Sequence, residues 1–278
     1  MSDEFGDRMK LYEQAECGRR LTPLLPAIAR IDGRCFSSFT QGMERPYDAR
    51  LSRAMIETTR YLVAETNACV GYTQSDEITI AWYSNAFGSQ IFFDGKIQKM
   101  VSVLAAMTTL EFNTRLAAEL SEYTHRFPLF DCRVWNVPTL DEAANVFLWR
   151  EIDATKNSVS MAARAYYSHK QLDGMGRADM MDMLFAKGVN WNDYPAFFKR
   201  GSYIQRRSVT RPFTCEEIEQ LPPKHEARAN PSLEIERTEY AEIDMPPLGR
   251  IGNRVEVLFF GKAPIPLDPR PAIPQNTH

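Results

Sequence analysis

Apolar positions along the chain switch between two periods, and the switches predict the elements. Leu24-Leu-Pro-Ala-Ile-Ala-Arg-Ile31 is a short, nearly continuous apolar run of the kind that forms a buried strand. Pro46-Tyr-Asp48 opens an amphipathic helix through about Glu65, with Leu51, Met55, Ile56 and Leu62 on one stripe and Asp48 suited to the positive end of the helix. Ala68–Tyr72 and Ile78–Tyr83 read as a hairpin around Gln74-Ser-Asp-Glu77. A long helix is expected from about Gly95 to Glu119, carrying Ile97, Met100, Val101, Leu104, Met107 and Thr108 at helical spacing. Phe130–Val137 is strand-like and closed by Pro138, and Leu140 to about Leu172 is helical again.

The order up to Val137 is therefore β-α-β-β-α-β, the split βαβ or ferredoxin-like arrangement, an α+β class with helices on one face of an antiparallel sheet. In that topology the first strand's end, Asp32, and the following hairpin, Asp76, fall at the same sheet edge. Further on, Asp179–Lys187 is a short helix and Gly188-Val-Asn-Trp-Asn-Asp-Tyr-Pro195 a turn-rich aromatic segment. Lys199–Arg211 is strongly basic. From Leu221 onward the chain holds ten of its 17 prolines; only Arg254-Val-Glu-Val-Leu-Phe-Phe260 looks like a strand, and Pro264–His278 reads as a loose tail. Three parts result: a catalytic domain over 1–137, a helical and basic region over 138–220, and a proline-rich extension with a short strand over 221–278.

Composition narrows this only a little. The 278 residues, 44% hydrophobic and 25% charged, are ordinary for a soluble globular protein. Net charge is −3 from 33 basic and 36 acidic residues, so a nucleic-acid partner would need a local basic patch. Five scattered cysteines and four dispersed histidines suggest neither a disulfide framework nor a zinc site. The N-terminus is unlike a secretory signal, and no apolar run is long enough to span a bilayer, so the expected compartment is the cytoplasm.

Two aspartates side by side at a sheet edge are the smallest holder for two divalent ions, an arrangement suited to phosphoryl or nucleotidyl transfer. Gly33 would let the backbone approach ions and phosphates, and Glu77 is an additional ligand or a supporting group. Taken alone, Asp32-Gly33 could equally be a turn and Gln74–Glu77 a polar hairpin tip.

The wider pattern is more specific. Arg30-Ile-Asp-Gly-Arg-Cys-Phe-Ser-Ser-Phe39, Arg45-Pro-Tyr-Asp48 and Gly71-Tyr-Thr-Gln-Ser-Asp-Glu77, followed by Trp149-Arg-Glu-Ile-Asp153 with Asn157 and by Phe197-Phe-Lys-Arg-Gly201, resemble the tRNA-His guanylyltransferase superfamily. The bacterial and archaeal guanylyltransferase-like branch looks closer than the eukaryotic enzymes. The resemblance covers residues 8 to about 210.

It implies template-directed 3′→5′ nucleotide addition at the 5′ end of tRNA, after activation of that end by a nucleoside triphosphate, on a core like the palm of conventional polymerases. Asp32, Gly33 and Asp76 would then hold two Mg²⁺ ions, with Glu77 beside them. Backbone groups of Gly33, Arg34, Cys35 and Phe36 would cradle the triphosphate of ATP or GTP, with Arg45, Asp48 and Ser75 in the same pocket. Lys96, Lys99 and Asn157 are assigned to activation, and a homotetramer is implied. Lys199, Arg200, Arg206, Arg207 and Arg211, with Phe197, Phe198 and Tyr203, are the candidate RNA contacts. Arg8, Lys10, Arg19 and Arg20 form a weaker patch, and Trp135, Trp149, Met100 and Met107 are read as core. Thr155-Lys-Asn-Ser158 stands where the eukaryotic pattern has His-x-Asn-Asn, which favours repair of 5′-truncated tRNA over G−1 addition. A palm-type nucleotide cyclase and a non-catalytic RNA-binding relative are the other readings; the retained Asp32, Asp76 and Glu77 argue against the latter.

Overall fold

The computed structural model describes residues 4–267. Helix α1 (Glu4–Cys17) precedes strand β1 (Ala27–Gly33), a single turn α2 (Phe36–Phe39) and helix α3 (Ala49–Glu65). The hairpin β2 (Val70–Gln74) and β3 (Glu77–Trp82) leads to α4 (Ile97–Glu119), β4 (Phe130–Asn136) and α5 (Leu140–Arg164). Short helices α6 (His169–Leu172), α7 (Arg177–Ala186) and α8 (Ala196–Arg200) follow. The chain ends with β5 (Ser202–Pro212), α9 (Cys215–Gln220), α10 (Glu226–Ala229), β6 (Glu234–Ile243) and α11 (Arg254–Phe260). Asp48 caps α3 by accepting from the Arg50 N–H, and Thr139, just past Pro138, caps α5 by accepting from Glu142 N–H.

The strands form a six-stranded sheet in the order β4-β1-β3-β2-β5-β6, with every neighbouring pair antiparallel. Its alternating pleat divides the core. Ala27, Ala29 and Ile31 point to one face, where Met55, Leu62, Val63, Leu104 and Phe112 of α3 and α4 bury them. Ile28 points to the other, under Ala143, Ala144 and Phe147 of α5 and Val257, Leu258 and Phe259 of α11. The two helices of the β-α-β-β-α-β unit, α3 and α4, thus lie on one face, while α5 and α11, which follow that unit, cover the other. At Gly71 α3 packs tightly on the sheet: a Cβ there would lie 2.6 Å from both Thr59 Cγ2 and Val63 Cγ2.

Several elements differ from the expectation. Arg254–Phe260 is a helix, ended by Gly261 in the left-handed region (φ 67°), and not a strand. Seven residues rich in Val and Phe fit both periods, and burial of the consecutive trio Val257, Leu258 and Phe259 decides for the helix. The basic stretch becomes strand β5, and a second strand, β6, pairs with it throughout. The helix expected to reach Leu172 ends at Arg164. Residues 268–278 of the expected tail lie outside the described residues, while Pro266 forms an isolated bridge with Ile251.

Candidate active site

Strand register brings acidic residues to one end of the sheet. Asp32, near the end of β1, is opposite Glu77 on β3 and Asp131 on β4, so all three project on the α5 side. The β2–β3 turn is two residues long, with Ser75 in the left-handed region (φ 55°), and it sets Asp76 beside β1. The Gly33 N–H donates to Asp76 O at 3.1 Å. A Cβ at position 33 would be 3.0 Å from Asp76 Cβ and 2.3 Å from the Phe36 ring, so only glycine allows this approach. Burial raises the Asp76 pKa, the nearby Asp32 charge adds to the rise, and a hydrogen bond from Ser75 opposes it.

A buried carboxyl whose ionisation is opposed by burial and by a neighbouring carboxylate is an environment a cation relieves. Among the described residues there is no group of three or more His, Cys, Asp or Glu side chains able to hold a metal. The donor set is therefore two carboxylates with backbone oxygen nearby. That suits Mg²⁺, which takes one or two protein carboxylates and completes its shell with water and substrate phosphate, and does not suit zinc.

Glu77 is already engaged. Arg150 of α5 grips it through both Nε and Nη2, the latter at 2.8 Å from Oε2, and Arg30 Nε lies 3.8 Å away. Burial raises the Glu77 pKa, with Arg150 and Arg30 pulling it down and Asp32 adding to the rise. Its carboxylate thus anchors α5 over the site, which is a supporting role.

The loop after β1 offers free donors. The Gly33 N–H is used by Asp76 O and the Arg34 N–H by Leu129 O, but those of Cys35 (φ 54°), Phe36 and Ser37 find no acceptor among the described residues. The Phe36 side chain itself is core, with Phe39, Phe112 and Phe130 rings 4.7, 5.7 and 5.6 Å away. Arg126 pins the loop by donating to the Phe39 and Gln41 carbonyls, a part that nothing in its local sequence revealed.

Alongside lies a cavity of about 320 Å³, lined by Ser37, Arg45, Tyr47, Asp48, Ser75, Met161, Arg164, Phe197 and Phe198 among others. Arg45, Asp48 and Ser75 are thus brought together as expected from sequence, while Arg164 went unnoticed there. Asp48 is mainly structural. Burial would raise its pKa, but its bonds to the Arg50 guanidinium and N–H more than offset this and hold it below the usual carboxylate range.

Lys96 and Lys99 are elsewhere. The start of α4 is tied to the chain before β1 by Leu21 N–H to Gly95 O and Ile97 N–H to Arg19 O. That is the Ala27 end of β1, about 17 Å from Asp32 at the rise of a strand. The Lys99 ammonium lies over the Phe93 ring. Asn157, in contrast, is exposed on α5 two turns beyond Arg150, on the stripe that continues to Met161 and Arg164.

The five basic RNA candidates have internal partners. Lys199 Nζ donates to Asn192 O and Arg200 to Met245 O. Arg206 Nη1 holds Asn67 O at 2.7 Å and Oδ1 at 2.6 Å, Arg207 pairs with Glu239 at 3.4 Å, and Arg211 pairs with Glu217 at 2.7 Å. Trp149, read as core from sequence, is 50% exposed and flanked by Arg30 and Arg150.

Comparison with known proteins gives one consistent family. The family model "tRNAHis guanylyltransferase" matches residues 6–138. A bacterial tRNA(His) guanylyltransferase (Thg1)-like protein solved in complex with ATP is 33% identical, with 92% of this chain and 100% of that chain covered and a TM-score of 0.76. One solved in complex with GTP is also 33% identical over 89% of this chain and 94% of that chain, with a TM-score of 0.68. The tRNA(His) guanylyltransferase of Schizosaccharomyces pombe is 26% identical over 215 residues, 72% of this chain and 80% of its own.

Proposed function

The chain belongs to the tRNA(His) guanylyltransferase family of nucleotidyltransferases, and from that premise we propose that it adds nucleotides in the 3′→5′ direction to the 5′ end of truncated tRNA. The observation that carries the reading is the meeting of Asp32 and Asp76 beside the unpaired N–H groups of Cys35, Phe36 and Ser37. In this reading Asp32, Asp76 and the Gly33 carbonyl hold two Mg²⁺ ions. When bound, the ions neutralise phosphate charge and make the attacking hydroxyl a better nucleophile. The free N–H groups receive the triphosphate of ATP or GTP, with Arg45 and Ser75 at the cavity wall. Glu77 and Arg150 keep α5 fixed over the site, so that Asn157 faces the RNA end.

Repair is favoured over G−1 addition by what occupies the His-x-Asn-Asn position. The Thr155 hydroxyl donates back to Glu151 O, and buried Ser158 accepts from the Trp191 indole N–H, so both serve the helix and its packing. Strand order β4-β1-β3-β2 with α3 and α4 on one face supports the ferredoxin-like palm description. We retain residues 1–137 as the catalytic part, 138–220 as the RNA-facing part and 221–278 as the extension. Lys199, Arg200, Arg206, Arg207 and Arg211 remain the proposed RNA contacts, in competition with their internal partners. Lys96 and Lys99, remote from their own aspartates, would serve activation at a neighbouring site of a homotetramer. No helix among the described residues is long and apolar enough to cross a membrane, and we assign the protein to the cytoplasm.

The test supplies Mg²⁺, labelled NTPs and a tRNA lacking its first 5′ nucleotide. Templated 5′ extension by the wild type, and none by Asp32→Ala at unchanged fold, is the expected result. Wild-type rates in the variant would remove the metal proposal, and a cyclic or dinucleotide product formed without RNA would point to a cyclase.

A further inference from the structure

The two edges of the sheet differ in charge. Strand β6, at one edge, carries Glu234, Glu236, Glu239 and Glu242 against one cation, Arg237, and this excess of like charge repels a second copy of itself. Strand β4, at the other edge, is Phe130-Asp-Cys-Arg-Val-Trp-Asn136, with an acid and a base two residues apart. Among the described residues no strand lies beyond it.

The bonds of β4 to β1 fix which of its backbone groups face outward. Arg34 N–H donates to Leu129 O and Val137 N–H to Pro26 O, so bonded pairs stand at those two positions and alternate between them. Asp131, Arg133 and Trp135 therefore turn their N–H and C=O toward β1, and Phe130, Cys132 and Val134 turn theirs outward. Thr109 Oγ1 of α4 takes the Phe130 N–H at 3.2 Å. The N–H and C=O of Cys132 and Val134 have no partner among the described residues. The edge is open here: Ile31 and Ala29, their opposites on β1, are fully buried, whereas Cys132 keeps 8% exposure and Val134 is half-buried. The α4 flank that reaches this edge at Thr109 continues as Ser102, Ala105 and Ala106, all small and uncharged, which leaves room for a neighbouring chain.

We propose that β4 pairs antiparallel with β4 of a second copy of this chain, about a two-fold axis at Cys132, joining the two sheets into one. Charge selects the register. An axis at Asp131 would set acid against acid, and one at Arg133 base against base. The axis at Cys132 sets each Asp131 opposite the other copy's Arg133, in the positions where cross-strand side chains come closest. It also sets Phe130 opposite Val134, and Leu129, 48% exposed in the single chain, opposite Trp135. Arg133 of the second copy then stands two strand spacings, about 10 Å, from Asp32, across Asp131. The pairing supplies one contact of the proposed homotetramer. Its test needs neither RNA nor nucleotide, so its failure leaves the nucleotide-addition reading untouched.

Sedimentation velocity on the full chain tests it by charge reversal. Asp131→Arg and Arg133→Asp change exposed side chains, and each variant presents like charges to its own copies. Each alone is expected to raise the dissociation constant of the β4 contact by about tenfold or more. Mixed in equal amounts, the two variants present opposite charges at both cross-strand positions and should associate as the wild type does. The pair that Asp131 and Arg133 make within one chain, at 3.3 Å, stays broken in both variants, so recovery on mixing separates a contact between copies from a local ion pair. Wild-type protein that stays monomeric throughout the assay, wild-type assembly by either variant alone, or no recovery on mixing overturns the proposal.

Discussion

Asp76 shows how a proposed metal ligand opposes the stability of its own fold. Its pKa is raised by burial and by Asp32, so the ionised form is held at a cost in the metal-free protein. A carboxyl whose folded pKa lies above its unfolded value contributes its stability at low pH and loses it as pH rises through the folded pKa. Metal-free protein at neutral pH is therefore on the unfavourable side for this group. Asp76→Asn should raise the melting temperature of the metal-free protein at pH 7 while abolishing 5′ extension, and its advantage should shrink as pH falls toward the carboxylate range. A lower melting temperature at pH 7 would contradict this account. Asp32, Gly33 and Asp76 stand out in the sequence as candidates because the proposed chemistry demands their types, and the fold brings them together. Arg126 and Arg164 do not stand out, since an arginine's partners, here the carbonyls of Phe39 and Gln41, are set by the fold.

At the scale of elements, legibility followed periodicity. Helix α3 and the β2–β3 hairpin were placed within a few residues because one period dominates each, and α4 because a long apolar run without proline or interior glycine favours a helix. Strand β6 was invisible: Glu234-Ile-Glu-Arg-Thr-Glu-Tyr-Ala-Glu-Ile243 has little apolar content, lies at the sheet edge and, among the described residues, pairs only with β5. Helix α5 has consequences beyond its length. Glu151 is buried on it and accepts from the Tyr203 hydroxyl at 2.9 Å and the Leu248 N–H at 2.8 Å. Removing the carboxylate leaves two buried donors unpaired, so Glu151→Ala should destabilise by about 2–4 kcal/mol in urea unfolding, and a change within error would show the site to be hydrated instead.

The whole molecule poses a charge problem. A chain of net charge −3 must hold a polyanion, so attraction has to be local. Arg206 and Arg207 are candidates, although Asn67 and Glu239 already engage them. Neutralising both should weaken tRNA binding and reduce the slope of log affinity against log salt by about 1–2. An unchanged slope would assign them to the internal contacts alone. The fold's larger plan was readable up to β4, but not the joining of β5 and β6 to the same sheet. That joining depends on pairing across more than a hundred residues, which no local pattern records.

Arg150 and Glu151 are consecutive, yet one grips Glu77 at the Asp32 end of the sheet and the other grips Leu248, almost a hundred residues further along the chain. The proline-rich end is thereby a mooring for α5. Trimming the chain for crystals or expression at Leu221, where composition changes, would cut that mooring along with β6 and α11. Nested C-terminal deletions that stop short of α11 should retain extension activity, and one that removes Leu248 should lose it.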